Sequence, residues 1–338
     1  MNTTLLIHML DHRFFVPASW LCAAILSAIL GALTPLQLFF GVVFLYAIFN
    51  GIIEFFVGVS FLLPGRKKPS FQHEDWLSST IQTNECTMNA VYKVQNQPSP
   101  LLFIVHGWRS SSRSVADRSI WFSERGWHVV MVELPNHGSS GSLGHWSAYR
   151  SLRAVEEVGQ KLNEIVSKEL ITSVTYYGHS MGGFIGLRLG TSQGNTIGSH
   201  PIQRMILESP MTMYEPILDE IAVGFRVPKI ILPMYRRRLI QRFNRSIGQP
   251  GRFSKIDEFN IPKWGKPLIP ILCVQANPDE RLGMGHYDRL IEVYAGKDTQ
   301  GMLSAFQLDS LTHAGARHNE ERNQKIAEWL EQTNHSDS

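Results

Sequence analysis

The chain opens with two long apolar stretches, after which short apolar runs alternate with amphipathic ones. From Phe14 to Leu33, and again from Leu36 to Leu63, almost every position is apolar, and Thr34-Pro35 separates the two stretches. The second exceeds the about 20 residues needed to cross a bilayer and the first is near the lower limit, which predicts a transmembrane helical hairpin, about 14–33 and 36–63. A cleaved signal peptide fits less well, because its apolar region of about 7 to 15 residues would not be followed by a second long run. From about residue 85 the pattern changes. Strands are expected at Thr87 to Val94, Leu101 to Val105, His128 to Leu134, Ser173 to Tyr177, Arg204 to Glu208, Ile269 to Gln275 and Ser304 to Leu308. Helices are expected at Ser114 to Arg125, Ala148 to Lys168, Met181 to Leu189, Tyr287 to Tyr294 and Glu320 to Glu331. Such alternation predicts an α/β architecture with a mostly parallel sheet. The chain thus divides into an anchor over 1–68 and a domain over 69–338, roughly 270 residues and enough for one large core.

Charge adds an orientation. Arg13 precedes the first apolar stretch and Arg66-Lys67-Lys68 follows the second, which marks both ends of the hairpin, and the domain after it, as cytoplasmic. Inside the second stretch lie Glu54 and, one turn earlier, Asn50. An ionisable group there is costly. It implies a specific polar contact, between the two helices or between protomers, or else a side chain that is protonated or reaches water. Cys22, Cys86 and Cys273 are widely spaced and odd in number, which argues against a disulfide framework or a zinc site and suits a reducing compartment.

The candidate chemistry centres on Ser180. It sits in Gly178-His179-Ser180-Met181-Gly182, between a strand pattern and a helix pattern. A serine with glycines two before and two after, at such a junction, is how a chain builds a nucleophile elbow: a turn so tight that only very small residues fit beside it. The amide of Met181, at a helix N-terminus, is then free to bind a developing oxyanion. Roughly 0.2 chance matches to the pattern are expected in a chain this long, so context must decide. A second match, Gly190-Thr191-Ser192-Gln193-Gly194, follows a helix rather than a strand and reads as a helix cap and loop.

With these landmarks the part of the chain after the anchor resembles the α/β-hydrolase superfamily, in particular its esterase, monoacylglycerol-lipase-like and serine-aminopeptidase-like branch. The resemblance rests on His106-Gly107-Trp108 after one central strand, Pro135-Asn136-His137-Gly138-Ser139-Ser140-Gly141 after the next, the Ser180 elbow, and an acid and a histidine after the last two strands. It implies an α/β-hydrolase fold and a Ser, His and carboxylate constellation, in which the imidazole takes the serine proton and the carboxylate orients it. Asp279 is the implied acid, with neighbouring Glu280 read as solvated and Glu208 as another possible acid. His313 and His318 compete for the base, the register after the last strand favouring His313. The amides of Trp108 and Met181 are the implied oxyanion donors, while His106, His137 and His179 are implied to shape loops.

Between Pro210 and Pro267, about 211–267, lies an insertion where the family often carries a lid, with helical stretches at Met213 to Phe225 and Ile230 to Ile240. From Arg226 to Lys255 it holds nine basic residues, Arg226, Lys229, Arg236, Arg237, Arg238, Arg242, Arg245, Arg252 and Lys255, and no acidic one. Beside a membrane hairpin this run suits anionic lipid headgroups. Nucleic acid is not expected, since the net charge is only +3 and no binding motif or interleaved aromatic run is present. The expected protein is a membrane-anchored serine hydrolase of a lipid-like carboxylic ester, with no metal or organic cofactor. A thioesterase or peptidase with the same residues, or a membrane adaptor that has lost catalysis, remain as alternatives.

Overall fold

The computed structural model describes residues 14–61, 64–191, 196–246, 253–314 and 318–336. Arg13, Leu62, Leu63, Ser192 to Gly194 of the second glycine-serine match, Arg252, and Gly315 to Arg317 before His318 lie outside the described residues. The residues fall into two compact units, one made of 64–143, 148–214 and 257–338, the other of 1–63, 144–147 and 215–256.

The larger unit is built on an eight-stranded sheet in the order β1-β2-β4-β3-β5-β8-β9-β10. Its strands are β1 (Leu77–Gln82), β2 (Thr87–Lys93), β3 (Ser99–Val105), β4 (His128–Glu133), β5 (Ile171–His179), β8 (Arg204–Glu208), β9 (Ile271–Ala276) and β10 (Leu303–Leu308), while β6 (Thr196–Ile197) and β7 (His200–Pro201) form a separate two-residue ladder. β1 and β2 are antiparallel to their neighbours, and from β4 to β10 all pairings are parallel. Central strands buried on both faces read as unbroken apolar runs, which is why Leu101 to Val105 and His128 to Leu134 stood out. β1 did not, because Leu77-Ser78-Ser79-Thr80-Ile81-Gln82 is an edge strand that buries only Ile81.

In the larger unit, helices α3 (Ala116–Ser123) and α9 (Glu320–Ser336) contribute Phe122, Ile326, Trp329 and Leu330 to a core with Leu102, Ile104, Val129, Met131, Ile206, Leu272 and Val274 of the sheet. α4 (Ala148–Gln160), α5 (Met181–Leu189) and α8 (Gly285–Tyr294) complete it. α4 is shorter than the expected Ala148 to Lys168. After Gln160 the chain tightens into a 3₁₀ turn at Leu162–Glu164, which still buries Leu162 and Val166.

The smaller unit contains two apolar helices, α1 (Phe15–Leu33) and α2 (Gln37–Ser60), each long and apolar enough to cross a membrane. They lie antiparallel: a Cβ on Gly31 would stand 3.2 Å from Phe40 and one on Gly51 3.4 Å from Trp20, and Phe14 stacks on Phe55 at 6.1 Å. The same unit holds α6 (Glu215–Gly224) and α7 (Leu232–Ser246) of the insertion. The hydroxyls of Ser60 on α2 and Tyr235 on α7 are 2.6 Å apart. Glu54 makes neither a seam between α1 and α2 nor a solvent contact alone. Its carboxylate pairs with Arg238 at 3.2 Å and Arg242 at 3.3 Å, and Arg238 also donates to the side-chain and main-chain oxygens of Asn50. Arg236 pairs with Asp219 of α6 at 2.7 Å. Three residues of the basic run are therefore matched by carboxylates of this unit, and the exposed cations among its described residues are Arg226, Lys229, Arg237, Arg245 and Lys255.

Candidate functional site

Ser180 follows β5 and caps α5 with φ 51° and ψ −113°, a left-handed conformation that costs a β-carbon-bearing residue about 1–3 kcal/mol. The surroundings hold it there. Its amide donates to Glu208 O at 3.0 Å, and its carbonyl accepts from the amides of Met211 at 3.1 Å and Phe184 at 3.2 Å. The flanking glycines are required by space: a Cβ on Gly178 would fall 2.6 Å from Gly183, and one on Gly182 2.1 Å from the carbonyl oxygen of Val105.

The chain after β10 brings His313 to this serine. Its Nε2 is 3.0 Å from Ser180 Oγ and its Nδ1 is 2.9 Å from Asp279 Oδ2. With the proton on Nδ1 donated to the carboxylate, Nε2 is left as an acceptor facing the hydroxyl, the tautomer that proton abstraction needs. Asp279 lies just past β9, where Gln275 Nε2 donates to Oδ2 at 2.8 Å and the amides of Arg281 and Leu282 donate to Oδ1 at 3.0 and 2.8 Å. Burial opposes its charge, but the hydrogen bond from His313 and the two amides outweigh that and hold the carboxyl at about 2.

Of the competing candidates, His318 is elsewhere. It is exposed and sits 3.3 Å from Glu320. Glu208 is fully buried but committed to cations: Arg118 donates to both of its oxygens, Tyr177 OH donates to it, and Arg322 stands 3.6 Å away. Burial again works against the charge, and Arg118 followed by Arg322 holds this carboxyl well below the ordinary range. Glu280 is exposed, yet it accepts the His313 amide at 3.3 Å.

The other histidines act through neutral rings. His106 donates from Nδ1 to Gly107 O at 2.7 Å and accepts the Leu134 amide at Nε2, 3.1 Å. His137 accepts the Arg109 amide at 3.0 Å, and burial, then nearby His106, pushes it down to about 3. His179 donates from Nε2 to the carbonyl of His313 at 2.8 Å, tying the elbow to the histidine loop, and burial lowers it to about 4. The segment leaving β3 runs beside the serine, since a Cβ on Gly107 would stand 3.1 Å from Ser180 Cβ. The amides of Trp108, next in this segment, and of Met181, first in α5, thus belong to the two stretches that flank the hydroxyl.

A family model described as Serine aminopeptidase, S33, matches residues 96–245. Among solved structures, an esterase from Pyrococcus furiosus superposes with a TM-score of 0.56 at 13% identity, covering 79% of this chain and 98% of its own. An alpha-beta hydrolase from Vibrio vulnificus gives 0.52 at 17% identity over 76% and 81%, and Est1E from Butyrivibrio proteoclasticus 0.53 at 16% over 75% and 98%. The chain has the α/β-hydrolase fold. No curated protein sequence matches it.

Two features of this α/β-hydrolase fold escaped the sequence reading. Gln275 hides inside an apolar strand, and only its polarity among Ile271 to Ala276 marked it. Glu133, the last residue of β4, is a buried hub: Ser112 donates through N and Oγ to one oxygen, and Ser70 Oγ, Asn89 Nδ2 and the Ser139 amide to the other, all within 2.7–3.0 Å. Burial opposes its charge, yet Ser112 and Ser139 keep the carboxyl below its usual range. Gly138, at φ +49°, is needed because a Cβ there would lie 2.0 Å from this carboxylate. A single charge closing an otherwise apolar strand was the available signal.

Proposed function

We propose that the protein is a membrane-anchored serine hydrolase that cleaves a carboxylic ester through an acyl-enzyme on Ser180. The unbroken hydrogen-bond path from Ser180 Oγ through His313 to Asp279 carries this reading. In the proposed reaction Ser180 Oγ attacks the acyl carbonyl while His313 Nε2 takes its proton, and Asp279 stabilises the imidazolium that forms. The amides of Trp108 and Met181 receive the negative oxygen. Collapse of the tetrahedral species expels the alcohol, which takes the proton from His313. Water, deprotonated by the same imidazole, then attacks the acyl-serine, and its collapse returns free acid and the serine hydroxyl. Each of these proton transfers is handled by the chain's own groups.

In this reading residues 1–68 are the anchor and 69–338 the hydrolase domain, which the basic stretch Arg66-Lys67-Lys68 assigns to the cytoplasmic side. A monoacylglycerol or lysophospholipid is the favoured substrate class, because such esters are delivered by the bilayer that the hairpin enters. The family description supports a second reading, hydrolysis of an aminoacyl or peptide bond by the same residues. A fluorophosphonate probe should label the wild type and not Ser180→Ala. A wild type that is folded but unlabelled means a non-catalytic adaptor. Parallel panels of ester, thioester and aminoacyl substrates then separate the acyl classes, and preference for aminoacyl amides overturns the ester assignment.

A further inference from the structure

We infer that the hairpin enters the bilayer from one face and turns inside it, so that its Thr34-Pro35 tip rests among acyl chains without reaching the opposite aqueous side. The inference builds on the membrane reading above and concerns how deep the anchor goes. From Phe14 to Ile53 the sequence has no Asp, Glu, Lys or Arg. The guanidinium of Arg238 reaches both oxygens of Asn50, four residues before Glu54 on α2, and Glu54 and Arg242 complete the cluster. All three charged side chains keep some exposure, between 13 and 20%. A charged cluster of this kind belongs in the headgroup layer, since placing it in hydrocarbon costs several kcal/mol.

From Gln37 to Phe49, between tip and cluster, α2 offers about 13 residues, or about 20 Å at ~1.5 Å each, against a hydrocarbon core of about 30 Å. Ile52 and Phe55, exposed at the level of the cluster, then fall in the interfacial layer, where apolar side chains penetrate ~5–10 Å. The tip itself is built for an apolar medium. Leu33, Leu36 and Leu38 are exposed, and Leu38 is 85% so. Thr34 Oγ1 donates to Leu30 O and Ser27 Oγ to Ala23 O, both at 2.8 Å, so these hydroxyls are satisfied by their own helix. A tip standing in water would leave most of the surface of three leucines hydrated.

The test uses full-length protein in native membrane vesicles of both orientations, with Cys22→Ala and Cys86→Ala removing accessible thiols. Thr34→Cys and Leu36→Cys are probed with a membrane-impermeant maleimide, and Lys297→Cys, exposed on the hydrolase domain, reports which side that domain faces. The inference expects protein that resists carbonate extraction, Lys297→Cys labelled from one side, and tip cysteines labelled from neither until detergent is added. Tip labelling from the side opposite Lys297→Cys means two full spans and overturns the inference while leaving the membrane reading intact. Tip labelling from the same side means no insertion, and extraction by carbonate defeats the membrane reading as well. A second variant, Thr34→Lys with Gln37→Lys, should lower the carbonate-resistant fraction roughly tenfold or more, because the added charges must enter hydrocarbon. Retention at the wild-type level would place the tip in water and overturn the inference.

Discussion

At the C-terminal ends of neighbouring parallel strands β8 and β9 the chain places two carboxylates, Glu208 and Asp279, in different company. Glu208 faces the guanidiniums of Arg118 and Arg322 and the hydroxyl of Tyr177, whereas Asp279 faces an imidazole, a carboxamide and two backbone amides. Both are buried and both are held ionised. The difference lies in what the partner can do. Arginine is a permanent cation and cannot pass a proton on, while histidine titrates and can. Of the two, only Asp279 has a titratable ring to orient, which is the role proposed for it, while Glu208 ties parts of the scaffold together.

This contrast is most sharply broken by removing the ring. His313→Ala is expected to lower turnover on the order of 10⁶-fold, and pairing it with Ser180→Ala should hardly deepen the loss, because the groups act as a unit. Steady-state kinetics on a chromogenic ester checks this, and additive losses would mean the two residues do not cooperate. Asp279→Asn keeps the shape but removes the charge that fixes the imidazole, and a drop on the order of 10⁴ in kcat is expected. Glu208→Gln should act on stability instead, costing about 3–5 kcal/mol by leaving buried guanidiniums short of charge. Chemical unfolding measures the cost, and the folded fraction should keep its fluorophosphonate labelling. A folded Glu208→Gln protein without labelling would give Glu208 a role in the chemistry.

The neutral histidines predict an acid limb. His179 and His286 sit at about 4 and His137 at about 3, each pushed down chiefly by burial from an ordinary 6.5. The unfolded chain takes up these protons below about pH 6.5 while the folded one does not until about 4, so stability falls as pH drops through that window, by about 1.4 kcal/mol per pH unit for each such ring. The thermal midpoint followed from pH 7 to 4 tests this, and a flat profile contradicts it. The smallest effect belongs to His318→Ala, which should leave kcat unchanged. Activity lost there and kept in His313→Ala would mean that the histidine loop takes another path during catalysis.

What the sequence disclosed follows from how its signals arise. Ser180 was legible because a strained turn forbids side chains at Gly178 and Gly182, and buried strands such as Leu101 to Val105 were legible because both faces are apolar. Asp279 and His313 could be placed by register after β9 and β10, but only distance separates His313 from His318. Long-range partnerships were not legible. Arg118 meets Glu208 across 90 positions and Arg238 meets Glu54 across 184, and no local pattern encodes either encounter. Glu54 was conspicuous as a charge in an apolar run, yet its arginines lay in an insertion whose charge had been assigned to lipid.

Glu133 gathers donors from Ser70, Asn89, Ser112 and Ser139, four stretches far apart in the sequence. Each donor that is missing leaves this buried carboxylate short of a hydrogen bond at the end of its strand. The four positions are thus coupled through one shared charge, and a lesion at any of these serines or the asparagine should be felt at the other three.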